Sequence, residues 1–460
     1  MTLIKDSSFY RRIVRIAVPI ALQNLVTFAT SMMDSIMLGR ADETGLLFSA
    51  ASLANQPFFI LSMLCFGLSG GAIVLGAQYW GRDDRESIKD IIAMVLKVTA
   101  VVSLLMGAAV LLFPTQIMQL YSNDAPTVAA AAEYLRIIGY AYITFGISNT
   151  LLCMLRSIET VRIAVVVNVT SFFVNVFLNW VLIFGNLGAP AMGIRGAALA
   201  TLIARLLEFV IVCVYLFFID RKLRFTPRDL LRFNRILAGD LLRHGTPVLL
   251  NELFWSLGVT AQAAILGHIR YSAGDPVGAN AIASMVQQLS TIVIFGIANA
   301  AAVLVGTSMG EGDRKKARAQ ADTLMLMSLF VGALASGLIL LLRGPVVAMY
   351  NIPEETKALA TELLDVVSVI AFFVSLSAFS IIGVLRGGGD TRFCLITEMV
   401  ALWCVATPLA FLAASLQWPV PVVLLCMKVD EPLKALICWV RMRTDRWMKA
   451  LTRDRAELEA

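Results

Sequence analysis

The sequence predicts an all-α polytopic membrane protein with twelve transmembrane helices, built as two parallel-repeat six-helix lobes around a central cleft. Three observations carry this. The chain of 460 residues is 58% hydrophobic and 15% charged, whereas a soluble domain is nearer a quarter charged. Its apolar residues gather into runs of the roughly 20 residues needed to cross a bilayer. The second half of the chain also repeats the first at an offset of 228 to 230 residues.

The runs fall at 13–38, 46–79, 88–112, 128–154, 162–184, 194–219, 244–267, 277–308, 319–342, 357–385, 392–414 and 419–442. Those at 46–79 and 277–308 exceed one span, so they tilt or project beyond the bilayer. Connections on one side of the membrane, with the two termini, hold 28 Lys and Arg, including Arg82, Arg85, Arg224, Arg232, Arg314 and Arg446. The other side holds five: Arg40, Arg195, Arg270, Arg343 and Lys357. The positive-inside rule then places both termini in the cytoplasm, with an even number of spans. The net charge of +6 is thus an orientation signal spread over every cytoplasmic loop, and no nucleic-acid partner is expected.

The repeat is carried by short motifs. "VPIALQN" around Pro19 answers "TPVLLNE" around Pro247, and "IMLGR" ending at Arg40 answers "AILGH" ending at His268. "MLRSIETVR" answers "VLRGGGDTR". An even helix number per lobe gives both lobes the same orientation, an arrangement suited to alternating access by rocking. The expected organisation is an N-lobe at 1–222, a basic cytoplasmic linker at 223–243, and a C-lobe with a cytoplasmic tail at 244–460.

Seven cysteines lie in apolar segments without a CxxC, and only two histidines occur, His244 and His268. Neither pattern gives a disulfide framework or a metal centre. The first run is too long for the core of a cleavable signal peptide. No GxxxxGK[ST] motif is present, which speaks against ATP-driven transport by this chain. The glycine-rich "LRGGGDTR" is a short turn between helices 10 and 11, and a weak phosphate-site signal.

Functional candidates are polar groups inside the spans. Helix 1 carries Gln23, Thr27, Thr30 and Asp34 on one face, and helix 5 carries Asn168, Ser171, Asn175 and Asn179 on one face. An acid on an otherwise apolar span marks a functional site, although Asn and Ser also serve as contacts between helices. Asp34 among amides and hydroxyls, with Thr201 of helix 6 as a further hydroxyl, is suited to carrying a proton or taking Na+ through oxygen ligands. In the second lobe Glu252, Asp365 and Glu398 are acids in apolar runs, and Gln262 stands where the repeat would place an equivalent of Asp34. Glu133 with Arg136, Arg205 with Glu208, and Asp430 with Lys434 have the spacing of ion pairs along a helix. Lys97 has no partner in its own helix.

"PIALQN", "MMDSIMLGR", "NVFLNWVLIFG", "MGIRGAALAT", "VLRGGGDTR" and "DEPLKALICWVR" together resemble the multidrug and toxic compound extrusion (MATE) family of the multidrug/oligosaccharidyl-lipid/polysaccharide exporter superfamily, over essentially the full chain. The resemblance implies an exporter driven by inward H+ or Na+, with two six-helix bundles around a V-shaped cleft. The family's helix 1 acid matches Asp34, its helix 5 amides Asn175 and Asn179, and its helix 6 threonine Thr201. Some members carry Asp at the position of Asn179, so this chain looks like the NorM-type branch. The helix 7 acid of that branch matches Glu252 within a turn, and a helix 10 acid matches Asp365.

The expectation is therefore a monomeric, non-enzymatic antiporter of the bacterial inner membrane, exporting organic, cationic amphipathic compounds. It needs no cofactor beyond its coupling ion, with Na+ at Asp34 or Glu252 if the ion is sodium. Ion coupling is assigned to Asp34, Asn175, Asn179 and Thr201; substrate contact or a second-lobe ion is assigned to Glu252, Gln262, Asp365 and Glu398. The rival readings are a lipid-linked oligosaccharide flippase and a channel or scaffold. A major-facilitator antiporter would further require inverted three-helix repeats within each half, and none is visible.

Overall fold

A computed structural model describes residues 3–42, 44–267, 275–350 and 352–458. His268 and Arg270, which enter the motif repeat and the charge distribution, lie outside the described residues. The described residues are helical with no strand. In the first half the helices are α1 (Ser7–Ala41), α2 (Leu46–Gly81), α3 (Arg85–Leu112), α4 (Pro114–Gln119), α5 (Ala125–Ile138), α6 (Ala141–Ser157), α7 (Arg162–Phe184) and α8 (Ile194–Val214). The second half contains α9 (Arg235–Gly267), α10 (Pro276–Gly310), α11 (Arg314–Ala348), α12 (Glu354–Ala378), α13 (Thr391–Met399), α14 (Thr407–Ser415), α15 (Val420–Met427) and α16 (Asp430–Arg443). π-helical turns extend α8 to Ile219 and α12 to Arg386, and join α13 to α14.

All twelve apolar runs are helical. Ten described helices are long and apolar enough to cross a membrane alone, and α5 with α6, bent by 58°, makes an eleventh. The run at 419–442 is divided between α15 and α16, with the break at Lys428 and Val429.

The repeat extends to helix boundaries. Starts at residues 7, 46, 85, 125, 162 and 194 are answered by starts at 235, 276, 314, 354, 391 and 420. The caps repeat as well. Asp84 accepts the Ser87 N–H ahead of α3, and Asp313 accepts the Lys316 N–H ahead of α11, satisfying otherwise orphaned donors. One departure lies at Gly139 and Tyr140. The first half bends there, while α12 continues straight through the equivalent positions. Gly139 packs so closely on Leu111 that a Cβ would approach its side chain to 2.8 Å.

The chain forms two compact units. One comprises Leu22–Gly76 and Asp84–Leu241; the other comprises Met1–Ala21, Ala77–Asp83 and Leu242–Ala460. The core of the first gathers Leu38, Leu61, Tyr134, Leu135 and Tyr142 from α1, α2, α5 and α6. The core of the second gathers Leu266, Ile282, Ile339, Leu363 and Val423 from α9 to α15. Large apolar side chains such as Leu105, Phe173, Phe330 and Leu341 point outward and stand largely exposed. That is the surface expected where the surrounding solvent is lipid.

Within the second unit, the end of α2 crosses α10 at two glycines related by the repeat. A Cβ on Gly81 would fall 2.0 Å from the Thr307 carbonyl, and one on Gly310 would fall 1.9 Å from the Gln78 carbonyl. Only glycine permits this backbone approach at either position.

The glycine-rich turn is also a packing device. Gly388 lies against the fully buried Trp447, and its carbonyl accepts the Lys449 N–H at 2.9 Å. Asp390 is held by Arg441 at 2.8 Å and by Lys449 at 2.6 Å. The turn therefore anchors the tail, which accounts for its glycines without a phosphate.

Candidate functional site

Within the first unit, α7 and α8 pack side by side, and α5 lies against α8. This places one polar face of each around Asp34 of α1. Asn179 Nδ2 donates to Asp34 Oδ1 and also, at 3.2 Å, to Asn175 Oδ1. Asn175 Nδ2 donates to Thr201 Oγ1 at 3.3 Å. Asn175 and Asn179 are 1% and 0% exposed, so these amides have no solvent to replace a lost partner. The four residues assigned to ion coupling form one connected network.

The remaining members of the two polar stripes are used locally. Thr27 and Thr30 return their hydroxyls to carbonyls one turn back in α1, and Asn168 does the same in α7. Ser171 bonds the Ala204 carbonyl at 3.4 Å, and Gln23 accepts from Arg156 at 3.3 Å. Only the contacts of Ser171 and Gln23 join helices, and none of the five is made to Asp34.

Two further residues adjoin the network. Tyr134 of α5 is buried beside Thr201 and Asp34. Arg205, one turn beyond Thr201, pairs with Glu208 at 2.8 Å and lies over the rings of Phe58 and Phe145. The Arg205–Glu208 pair agrees with its sequence spacing. The only sequence signal for Tyr134 is an aromatic hydroxyl in an alanine-rich helix. Oxygens on offer to a cation are those of Asp34, Thr201 Oγ1 and Asn179 Oδ1, the last buried without a hydrogen-bond partner.

The acids of the second half are not brought together with one another in this way. Glu252 pairs with Arg386 at 3.0 Å. Glu398 pairs with Lys434 at 3.1 Å, and Lys434 also reaches Asp430 and Glu431, each at 2.8 Å. Lys434 and the three acids are buried or nearly so, and Ser377 donates to Glu431. Gln262 donates to the Met427 carbonyl at 2.8 Å and accepts from Lys428 at 3.3 Å. Asp365 pairs with Arg343, both partly exposed.

One expected pairing changes. Glu133 meets Arg195 at 2.7 Å rather than Arg136, because α5 packs on α8 and the bidentate approach lies across helices. Lys97, lacking a partner in its own helix, donates to the Arg232 carbonyl at 2.7 Å.

The MatE family model matches residues 19–181 and again 247–412, two segments displaced by the same interval as the internal repeat. A probable multidrug resistance protein NorM from Thermotoga maritima is 26% identical over 87% of this chain and 85% of its own length. The multidrug resistance protein PmpM from Pseudomonas aeruginosa is 24% identical over 89% of this chain and 84% of its own. Among solved structures, a crystal structure of MATE in complex with MaL6 superposes with a TM-score of 0.85 at 20% identity, covering 95% of this chain and 96% of the other.

Proposed function

Since the chain belongs to the MatE family of membrane transporters, we propose that it is a cation-coupled antiporter that exports organic, cationic amphipathic compounds. The observation that carries this reading is the setting of Asp34. It is an acid in a membrane helix whose hydrogen bond comes from a neutral amide, with a hydroxyl network behind it. Such a group can gain and lose a positive ion without breaking an ion pair. Asn175 and Asn179 orient it, and Thr201 supplies a further oxygen.

In this reading the two halves rock about Asp34 and the substrate path, as parallel repeats of equal orientation allow. The one-sided distribution of Lys and Arg supports cytoplasmic termini in a bacterial inner membrane. The multidrug names of the relatives favour drug export over oligosaccharide flipping. Glu252 is better suited than Glu398 to attracting a cationic substrate, since its side chain retains more exposure. The ion pairs at Asp365 and Glu398 support structural duties for both.

The test is Asp34→Asn in proteoliposomes with imposed H+ or Na+ gradients. Coupled efflux of a cationic dye is expected to fall by at least about a hundredfold, the scale of removing about 2.7 kcal/mol of essential stabilisation. Wild-type coupled efflux from the variant overturns the assignment.

A further inference from the structure

We propose that the connection between the halves is an interfacial anchor. Leu231 and Phe233 enter the bilayer at the border between headgroups and acyl chains, and the arginines near them in sequence bind anionic phospholipid. The inference goes beyond the reading of Asp34 and does not depend on it.

The inner face of the connection is fastened to the first unit. Leu223 and Phe225 are buried. Lys222 Nζ donates to the Ile158 carbonyl at 2.8 Å, and Arg85 donates to the Lys222 carbonyl at 3.2 Å. Arg232 turns its side chain to Asp229 and Glu86, at 2.6 and 2.7 Å. Its two chain neighbours go the other way: Leu231 and Phe233 are 83% and 68% exposed. Arg224, Arg228 and Arg235 are exposed as well.

Depth identifies what covers this face. Lys97 of α3 donates to the Arg232 carbonyl at 2.7 Å, which holds Leu231 and Phe233 at the level of Lys97. Ahead of Lys97, α3 carries Glu86, Lys89 and Asp90; beyond it, every exposed residue of α3 is apolar, beginning with Val98 and Val101. Lys97 thus stands where the lipid-facing side of α3 meets the headgroups, the level at which a lysine stem lies on apolar surface and its amine reaches polar surroundings. The outward face of α8, with Val210, Val214 and Phe218, leads into the start of the same connection.

Charge identifies the kind of lipid. Large apolar side chains among arginines hold the boundary of an anionic bilayer through buried apolar area and attraction to the headgroups together. The scaffold does not force this exposure. The tail, which follows the second set of helices as the connection follows the first, buries Trp447, Met448 and Leu451.

The experiment melts the full chain, stripped of lipid in detergent, in micelles doped with rising fractions of phosphatidylglycerol or phosphatidylcholine. Wild type is expected to be stabilised by phosphatidylglycerol at a markedly lower fraction than by phosphatidylcholine. An arginine near an anionic surface is worth about fivefold in binding, or about 1 kcal/mol. Arg228→Gln with Arg235→Gln should therefore raise the phosphatidylglycerol fraction needed by at least about tenfold. Leu231→Ser with Phe233→Ser should weaken the response to phosphatidylglycerol as well. Arg11→Gln with Arg15→Gln removes as much charge from the start of α1 and should change the fraction by less than about twofold. Soluble glycerol 3-phosphate, an anion without acyl chains, should leave melting unchanged.

A wild type that responds equally to the two lipids overturns the proposal, as does a wild-type response in both connection variants. An equal loss in the α1 variant makes the attraction diffuse and overturns it too, and stabilisation by glycerol 3-phosphate removes the bilayer from the account. Self-association that Leu231→Ser with Phe233→Ser abolishes, with the lipid response unchanged, gives the surface to a second copy of the chain. The substituted side chains are exposed, so each variant should melt with the wild type before lipid is added; where one does not, the other connection variant decides.

Discussion

Asp34 in the first half accepts its hydrogen bond from an uncharged amide, whereas Glu252, Asp365 and Glu398 in the second half each face a cationic side chain. The scaffold is repeated and the chemistry is not. Position 262, equivalent to Asp34 in the repeat, holds a glutamine bonded to the Met427 carbonyl and to Lys428. A buried acid paired to a base is fixed in its charged form, because neutralising it strands the base. An acid held by amides and hydroxyls has no such lock. The comparison sets an acid bonded to a neutral amide against acids that each face a base.

The largest expected effect comes from breaking the tightest lock. Lys434 is 4% exposed and satisfies three carboxylates, from Glu398, Asp430 and Glu431. Lys434→Met would leave three acids sharing a dry site. Removing one partner of a buried pair costs about 3–5 kcal/mol, so a marked fall in melting temperature in detergent is expected. A variant melting with the wild type would show that this cluster is no lock and would return Glu398 to the ion-binding candidates.

A smaller effect sharpens the contrast from the other side. Glu252→Gln keeps a hydrogen-bonding side chain opposite Arg386. Efflux is expected to slow by no more than about tenfold, or about 1.4 kcal/mol, while its response to the imposed ion gradient stays as in wild type. Asp34→Asn should do the reverse, removing the response. If Glu252→Gln loses coupling as well, the division of labour between the halves is wrong.

How much of this was legible in the chain differs between scaffold and contact. Span positions followed from run length, and the repeat from motifs as short as "VPIALQN" and "TPVLLNE". The stripes of α1 and α7 gave Asp34, Asn175 and Asn179 through helical period alone. What period cannot supply is the rotation of one helix against the next. Glu133 was a helical neighbour of Arg136 by spacing, yet packing of α5 on α8 delivered it to Arg195. Glu398 and Lys434 lie 36 residues apart, and nothing in either segment announces the other. The place of Tyr134 beside Thr201 was hidden for the same reason. The division of α15 from α16 at Lys428 did leave a signal that run length passed over, since Lys428, Asp430, Glu431, Pro432 and Lys434 interrupt the apolar stretch at the break.

The smallest expected effect tests whether burial, and not the number of charges, makes a lock. Arg232 also gathers three acids: Asp229 at 2.6 Å, Glu86 at 2.7 Å and Asp90 at 3.5 Å. Its side chain, however, is 34% exposed, against 4% for Lys434, and it lies in the connection between the halves. Burial of Asp229 opposes its charge. The Thr226 N–H and hydroxyl, at 2.7 and 2.8 Å, and Arg232 outweigh that cost and hold its pKa below the usual carboxylate range. A depressed folded pKa contributes stability that is present above the unfolded value of about 3.9 and lost as pH falls through the folded one. At pH 7 the contribution is complete, yet solvent screening limits a pair of this exposure to about 1 kcal/mol or less. Asp229→Asn should therefore melt slightly below wild type at pH 7, and the gap should close as the pH is lowered towards 3. A gap as large as that of Lys434→Met would show that clustering alone sets the cost. A gap as wide at pH 3 as at pH 7 would show that Asp229 acts through its shape and not its charge.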